Sequence, residues 1–242
     1  MTADSAGKLG AVSAPQGAVR RAGAGSSLAA DQGDAFVREN CSLRPVPPVP
    51  EIRLHLADDA FGVWEEAERT AGGTELPPPF WAFAWPGGLA MARYILDHPE
   101  VVAGRSVLDL GSGSGVAAIA AALAGASRVL ASEVDPIATA SIGMNAAANH
   151  VHIDVAGDVL DGTAAHADVL IAADVWYERQ FADRAITMLR RCSDRGADVL
   201  VGDIGRAFLP RHLLRELAAY DVPVLAELEY ASVKRVLILT LM

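Results

Sequence analysis

The sequence predicts an α/β protein whose doubly wound, mostly parallel seven-stranded sheet ends in an antiparallel hairpin. Three observations carry that prediction. From residue 77 onward, runs rich in Val and Leu alternate with helix-like segments, the pattern of a parallel sheet covered on both faces. A glycine-rich turn, "GSGSG" at 111–115, follows the first of these runs. The last two strand-like runs are separated only by "YASV", too short for a crossover helix, so they must pair antiparallel.

Each element can be justified in chain order. Residues 1 to about 30 are mostly Ala, Gly and Ser with little periodicity, a composition that buries too little apolar surface to offset the entropy of ordering. We therefore expect a flexible leader over 1–43 and one domain over 44–242, with 44–76 an N-terminal strand and helix and 77–242 the core. "RPVPPVPEIRL" forces an extended path into an edge strand around Glu51 to Leu56. "DDAFGVWEEAERTA" reads as a helix capped by Asp58 or Asp59, with Phe61, Trp64 and Ala67 on one side. "PPPFWAFAWPGG" is too irregular for a strand and too rich in proline at its start for a helix. Strands are then expected at "SVLDL", "RVLASEV", "DVAGDV", "DVLIAAD" and "DVLVGDI". Helices are expected at "GGLAMARYILDH", "GVAAIAAALAG", "PIATASIGMNAAANH", "FADRAITMLRRC" and "LPRHLLRELAAY". "VPVLAELE" and "KRVLILTLM" make the closing hairpin.

Composition excludes several classes. A chain of 242 residues, 52% of them hydrophobic, can bury one substantial core. A formal net charge of -10 argues against a nucleic-acid binder, which would carry a basic face. The two cysteines, Cys41 and Cys192, supply neither a disulfide framework nor a metal cluster, and the histidines lack ligand spacing, so no metal is expected. No long apolar segment reads as a secretion signal or membrane span, and a cytoplasmic protein is expected. An edge strand and a leader leave room for a homodimer.

The turn after "SVLDL" carries the chemistry. Asp109 ends a strand, Gly111, Ser112, Gly113 and Gly115 form the loop, and a helix begins near Val116, so bare amides and a helix N-terminus face a ligand at the carboxyl end of a strand. A dinucleotide fingerprint needs its third glycine at 116, which is Val116. The acid two residues before the first glycine would repel a pyrophosphate but suits the ammonium and sulfonium of S-adenosylmethionine. Glu133, with Val134 and Asp135 behind it, ends the second strand where an acid can hydrogen-bond both ribose hydroxyls. Asp158 closes the third strand and is a candidate for the adenine amino group. Trp85, with Gly87 and Gly88 at the next helix start, would line the cofactor cleft, since aromatic faces attract cations.

These residues resemble the class I S-adenosylmethionine-dependent methyltransferases over roughly 77–242, with their Rossmann-like fold. "PPPFWAFAWPGG", "DVWY" and "GDIGRAFLP" are similar to the branch containing the electron transfer flavoprotein β-subunit lysine methyltransferases, also labelled nicotinamide N-methylase-like or ribosomal protein L11 methyltransferase-like. The resemblance implies that Asp174 and Tyr177 flank the methyl acceptor, with Asp174 also touching the cofactor and S-adenosylhomocysteine the spent product. A carboxylate and a hydroxyl there would orient an amine and accept its proton. Trp176 stands where the branch would have Phe or Tyr and is expected in the catalytic and acceptor-binding set. Trp81, Phe83, Asp203 and Arg206 complete the expected acceptor site. The acceptor itself is expected to be a protein lysine. The alternatives are a small aromatic or amine metabolite, such as an indole-containing natural product, and a non-catalytic module that keeps the fold as a scaffold.

Overall fold

A computed structural model describes residues 30–161, 166–224 and 232–242. In chain order the elements are α1 (Ala30–Asn40), β1 (Ser42–Val46), β2 (Val49–Leu56), α2 (Ala60–Thr70), α3 (Pro86–Asp97), β3 (Ser106–Leu110), α4 (Val116–Leu123), β4 (Arg128–Ser132), α5 (Pro136–Ala148), β5 (Asp154–Ala156), β6 (Val169–Ala173), α6 (Arg179–Ser193), β7 (Asp198–Asp203), β8 (Leu214–Pro223) and β9 (Val233–Leu241). Seven strands form one sheet in the order β5-β4-β3-β6-β7-β9-β8. Strands β3 to β7 are parallel, and β9 pairs antiparallel with both β7 and β8. The chain winds outward from β3 through β4 and β5, then returns to β3's other side with β6. The crevice at that reversal is where such sheets bind ligands.

Alternation within the central strands explains why they read as continuous apolar runs. Val107, Val169 and Ile171 pack under α3, α4 and β2, whereas Leu108, Leu110, Leu170 and Ala172 pack under α6. With both faces covered, a polar residue in these strands needs a reason. Asp109 at the end of β3 is such a residue.

The segment "LPRHLLRELAAY" departs from expectation. It forms a short turn at Arg211–Leu213 and then β8, which pairs with β9 from Leu214↔Leu241 to Pro223↔Val233. Its Leu and Ala spacing suits a helix, but a ladder along its whole length outweighs local preference. A bulge between Glu216 and Ala218 reverses the face presented. Before it Leu214 packs on the α6 side; beyond it Ala218, Tyr220 and Val222 pack on the α3 side. The closing hairpin is therefore built one segment earlier than "VPVLAELE", most of which, 225–229, lies outside the described residues.

The N-terminal region is also more ordered than its composition implied. Helix α1 falls inside the stretch assigned to the leader, burying Phe36 and Val37 against Trp81, Ile137 and Ala138. A Cβ at Gly33 would meet Ala140 at 2.8 Å, so glycine lets α1 press onto α5. Residues 1–29, the rest of that leader, lie outside the described residues. The expected edge strand at Glu51 to Leu56 is part of β2, which pairs with β1 in a separate hairpin. Two asparagines of α5 dock this hairpin. Asn149 accepts from the Arg53 amide (2.9 Å) and donates to its carbonyl (2.6 Å), as a neighbouring strand would. Asn145 accepts from the His55 amide (2.7 Å) and donates to the Ser114 carbonyl in the glycine loop (2.9 Å). Helix α2 is capped by Asp59, as expected. Among the described residues no helix is long and apolar enough to cross a membrane, and no acid, His and Cys cluster could hold a metal.

Candidate active site

The carboxyl ends of β3, β4, β6 and β7 bring together most of the residues singled out in the sequence. Gly111, Gly113 and Gly115 all have positive φ, at 65°, 54° and 83°, so the loop requires glycine at each. A Cβ at Gly111 would press on Val175 at 3.1 Å. Glu133 reaches across this loop. Its Oε2 accepts from the Gly113 amide (3.0 Å), and its Oε1 accepts from the Val134 (2.7 Å) and Asp135 (3.2 Å) amides. Burial raises its carboxyl above the usual range while these amides pull it down. Val134 is 72% exposed beside it, an apolar shelf at the end of β4.

Asp109 occupies a different position from the one its spacing suggested. It is buried, and its Oδ2 accepts from the Ser112 hydroxyl at 2.6 Å, so it shapes the loop from beneath. Burial pushes its carboxyl up to about 6, against the Ser112 hydrogen bond. Asp158 is turned outward to Arg184 of α6 (2.7 Å) and accepts from the Leu160 amide (2.9 Å). In this geometry it is an ion-pair partner rather than a group aimed into the crevice. Asp135 caps α5 through the Ile137 amide at 2.8 Å.

Asp174 is the centre of the second half of the site. It leaves β6 with φ 56°, a left-handed conformation uncommon outside glycine, and its amide donates to the Gly202 carbonyl at 2.9 Å. Its Oδ2 accepts from the Gly88 amide in the first turn of α3 (2.9 Å), and its Oδ1 faces Arg206 Nη2 at 3.3 Å. The helix approaches so closely that a Cβ at Gly87 would stand 2.5 Å from Asp174 Oδ2 and from the Gly202 carbonyl. Burial pushes the Asp174 carboxyl up to about 7; Arg206 opposes that shift and Asp203 adds to it. Asp203, fully buried at the end of β7, accepts from the Gly205 and Arg206 amides at 2.5 and 2.6 Å.

The aromatic residues divide sharply. Trp85 caps α3, its indole N–H donates to the Phe80 carbonyl (2.8 Å), and the Arg206 guanidinium lies 5.8 Å from its ring centre. Phe80 stands between Trp85 (5.8 Å) and Tyr177 (5.3 Å), and Tyr177 is 42% exposed at the mouth. Desolvation, then Glu178 and Glu133, push the Tyr177 hydroxyl up to about 12, so it stays protonated at neutral pH. Three expected acceptor residues belong instead to the core. Trp81 is buried edge-on against Phe36 (6.2 Å), and Phe83 is buried with it. Trp176 is fully buried in the cluster of α6 and β7, with its carbonyl bonded to the Phe208 amide. The turn geometry decides this: in a tight turn at Phe80–Ala82, neighbouring rings point in different directions, and Phe80 takes the crevice side. Nothing in the periodicity separates Phe80 from Trp81 and Phe83; the turn alone sends it to the crevice.

Comparison with known proteins shows the family. Residues 91–175 match the family model of ribosomal protein L11 methyltransferase (PrmA). The Danio rerio electron transfer flavoprotein beta subunit lysine methyltransferase is 40% identical over 185 residues, covering 72% of this chain and 69% of the relative. The chain belongs to that family. Family members from Rattus norvegicus and Homo sapiens are 38% and 37% identical, covering 78% and 80% of this chain and 76% and 74% of theirs. A solved structure of a proposed RNA methyltransferase from Pyrococcus horikoshii, 16% identical, superposes with a TM-score of 0.51 over 69% of this chain and 90% of its own. That likeness shows the Rossmann-like methyltransferase fold alone. The chain is thus a methyltransferase that takes S-adenosylmethionine as donor and releases S-adenosylhomocysteine. The glycine cradle, the Glu133 carboxylate and the Val134 shelf fit a nucleoside with a cationic tail.

Proposed function

We propose that this enzyme methylates lysine side chains of a protein, with the electron transfer flavoprotein β subunit the first acceptor to test. The relatives' names supply the acceptor class, and the observation that carries it here is the open mouth at Tyr177, 42% exposed beside Phe80. A lysine is a long chain ending in an amine and enters such a mouth from a folded partner. Among the described residues, Phe80 packs against one side of Tyr177 while Trp81, Phe83 and Trp176 are committed to the core, so the aromatic segment does not close over that ring as a roofed metabolite pocket would require.

The bound cofactor supplies a methyl group on a sulfonium, which needs no Lewis acid to be transferred. The chain's residues do the rest. Glu133 holds the ribose hydroxyls, Val134 the adenine face, and the amides of 111–115 the polar tail. Asp109 acts through Ser112 by fixing the loop. Phe80 and Tyr177 guide the lysine stem, and Asp174 accepts a hydrogen bond from its amine. A carboxyl near neutral is suited to orient that amine and to hold the proton lost as the nitrogen attacks. Incubation of the enzyme with methyl-labelled S-adenosylmethionine and the purified β subunit, followed by peptide mass spectrometry, should place methyl groups on lysine. Label absent from every lysine would overturn the reading.

A further inference from the structure

We propose that Arg206 is a positioning residue for methyl transfer: seated between Asp203 and the face of Trp85, it holds Asp174 as an oriented carboxylate for the acceptor amine. The proposal rests on the assignment of Asp174 to the amine given above. Its basis is the way one helix turn grips both partners. Trp85 caps α3 and Gly88 lies in the first turn of the same helix. The Gly88 amide holds one oxygen of Asp174, and Arg206, stacked on Trp85, holds the other. Trp85 is itself fixed by its bond to the Phe80 carbonyl. The arginine backbone is pinned too, since its amide donates to Asp203 at 2.6 Å, and its side-chain Nε lies 4.0 Å from Asp203 Oδ2, an ion-pair contact and not a hydrogen bond. Arg206 therefore has its stem, its planar face and one edge defined by separate elements. A planar cation with directional donors uses all three, whereas a lysine ammonium uses only its charge.

Charge counting shows what this seat accomplishes. The charged groups facing Asp174 are Arg206 and Asp203 from β7 and the turn after it, while α3 supplies the neutral Gly88 amide. Tyr177, at the mouth, also feels Arg206 but keeps its proton. Asp203 has a second cation in Arg211, whereas Arg206 is the cation that faces Asp174, so the ionisation of Asp174 depends on that one guanidinium. Without the Arg206 guanidinium, Asp174 would lose its cation while Asp203 kept Arg211, and Asp174 would hold its proton to higher pH. Asp174, the one nearer the mouth, would then present an O–H where the amine needs an acceptor. An arginine cannot lose its own proton, so its pull on the Asp174 carboxylate persists while that group titrates near 7.

The Gly88 amide proton is a local reporter of Asp174 ionisation and needs no acceptor. In the complex with S-adenosylhomocysteine, its NMR shift should titrate near neutrality in the wild type. In Arg206→Met its midpoint should rise by about one pH unit or more, the size expected when a close opposite charge is removed. The acid limb of kcat/KM for lysine methylation should move with it, while affinity for S-adenosylhomocysteine stays within about threefold. Arg206→Lys should fall between the two, restoring the midpoint more fully than kcat because it keeps charge but loses the planar seat. It also serves as the second variant should the methionine protein not fold. An unchanged midpoint in both variants, or a loss of cofactor affinity equal to the loss of activity, would overturn the proposal. If the midpoint shifts as stated but no lysine is methylated by the wild type, the acceptor assignment fails and the role of Arg206 in holding Asp174 stands.

Discussion

Replacing Asp174 by Asn should stabilise the protein more and more as pH rises, while removing its activity. The carboxyl titrates at 3.8 when unperturbed and at about 7 in the fold, because burial outweighs the attraction of Arg206. An acid whose pKa is raised by folding binds more protons in the native state than in the unfolded state between those two values. Stability contributed by the protonated group is therefore present at low pH and lost as pH climbs toward and through 7. At about 1.4 kcal/mol per unit, the full excursion from 3.8 to about 7 is an upper bound of about 4 kcal/mol. Asparagine keeps the shape, tolerates the left-handed backbone and can still accept from Gly88, but does not titrate. The stability of Asp174→Asn relative to wild type should thus grow by about 2–3 kcal/mol between pH 5 and pH 8, several degrees in Tm for a chain of this size. Because Asp109, Glu133 and Asp203 are also raised, the difference between the two proteins, and not either curve alone, isolates Asp174. Calorimetry of both proteins across that range measures it. A difference that is flat with pH, or that shrinks as pH rises, would refute the reasoning about burial.

Other consequences follow from particular contacts. Glu133→Ala should weaken S-adenosylhomocysteine binding by about 10- to 100-fold in isothermal titration, since a charged hydrogen-bond partner contributes roughly 1.5–3 kcal/mol. Trp176→Phe should leave kcat within about twofold of wild type, because the ring is fully buried and its N–H has no hydrogen-bond partner among the described residues; Trp176→Ala should cost about 3–5 kcal/mol in urea unfolding. Asn145→Ala should lower both Tm and cofactor affinity, since it strands the buried Ser114 carbonyl of the glycine loop and the His55 amide together. Gly87→Ala should abolish methyl transfer in a steady-state assay even where the protein folds, because the new methyl must displace Asp174 or the Gly202 carbonyl.

Periodicity and turn chemistry made the centre of this fold legible. The parallel strands, the glycine cradle and the acids ending β3, β4, β6 and β7 each have a local physical cause that a single sequence displays. The rest depends on partners remote in the chain. Segment 214–223 reads as a helix until β9 lies beside it, and the bulge at Glu216/Ala218 is visible only in the ladder. Helix α1 is ordered by Trp81 and α5, not by its own composition. Aromatic identity likewise proved a poor guide to the crevice: Trp81, Phe83 and Trp176 have the rings but face the core, while Phe80 reaches Tyr177. Asp109 lies at the end of β3, as its spacing suggests, but its carboxylate is buried beneath the loop against the Ser112 hydroxyl. Asn145 lacked any motif of its own, yet it ties the N-terminal hairpin to the cofactor loop.

The most direct test of the central claim is to follow a labelled methyl group from S-adenosylmethionine into a lysate fractionated into proteins and small molecules, with Asp174→Asn run in parallel. The account predicts label on protein lysine with the wild-type enzyme and none with the variant, while both retain S-adenosylhomocysteine binding. Label accumulating in a small molecule, or undiminished protein labelling by Asp174→Asn, would contradict it.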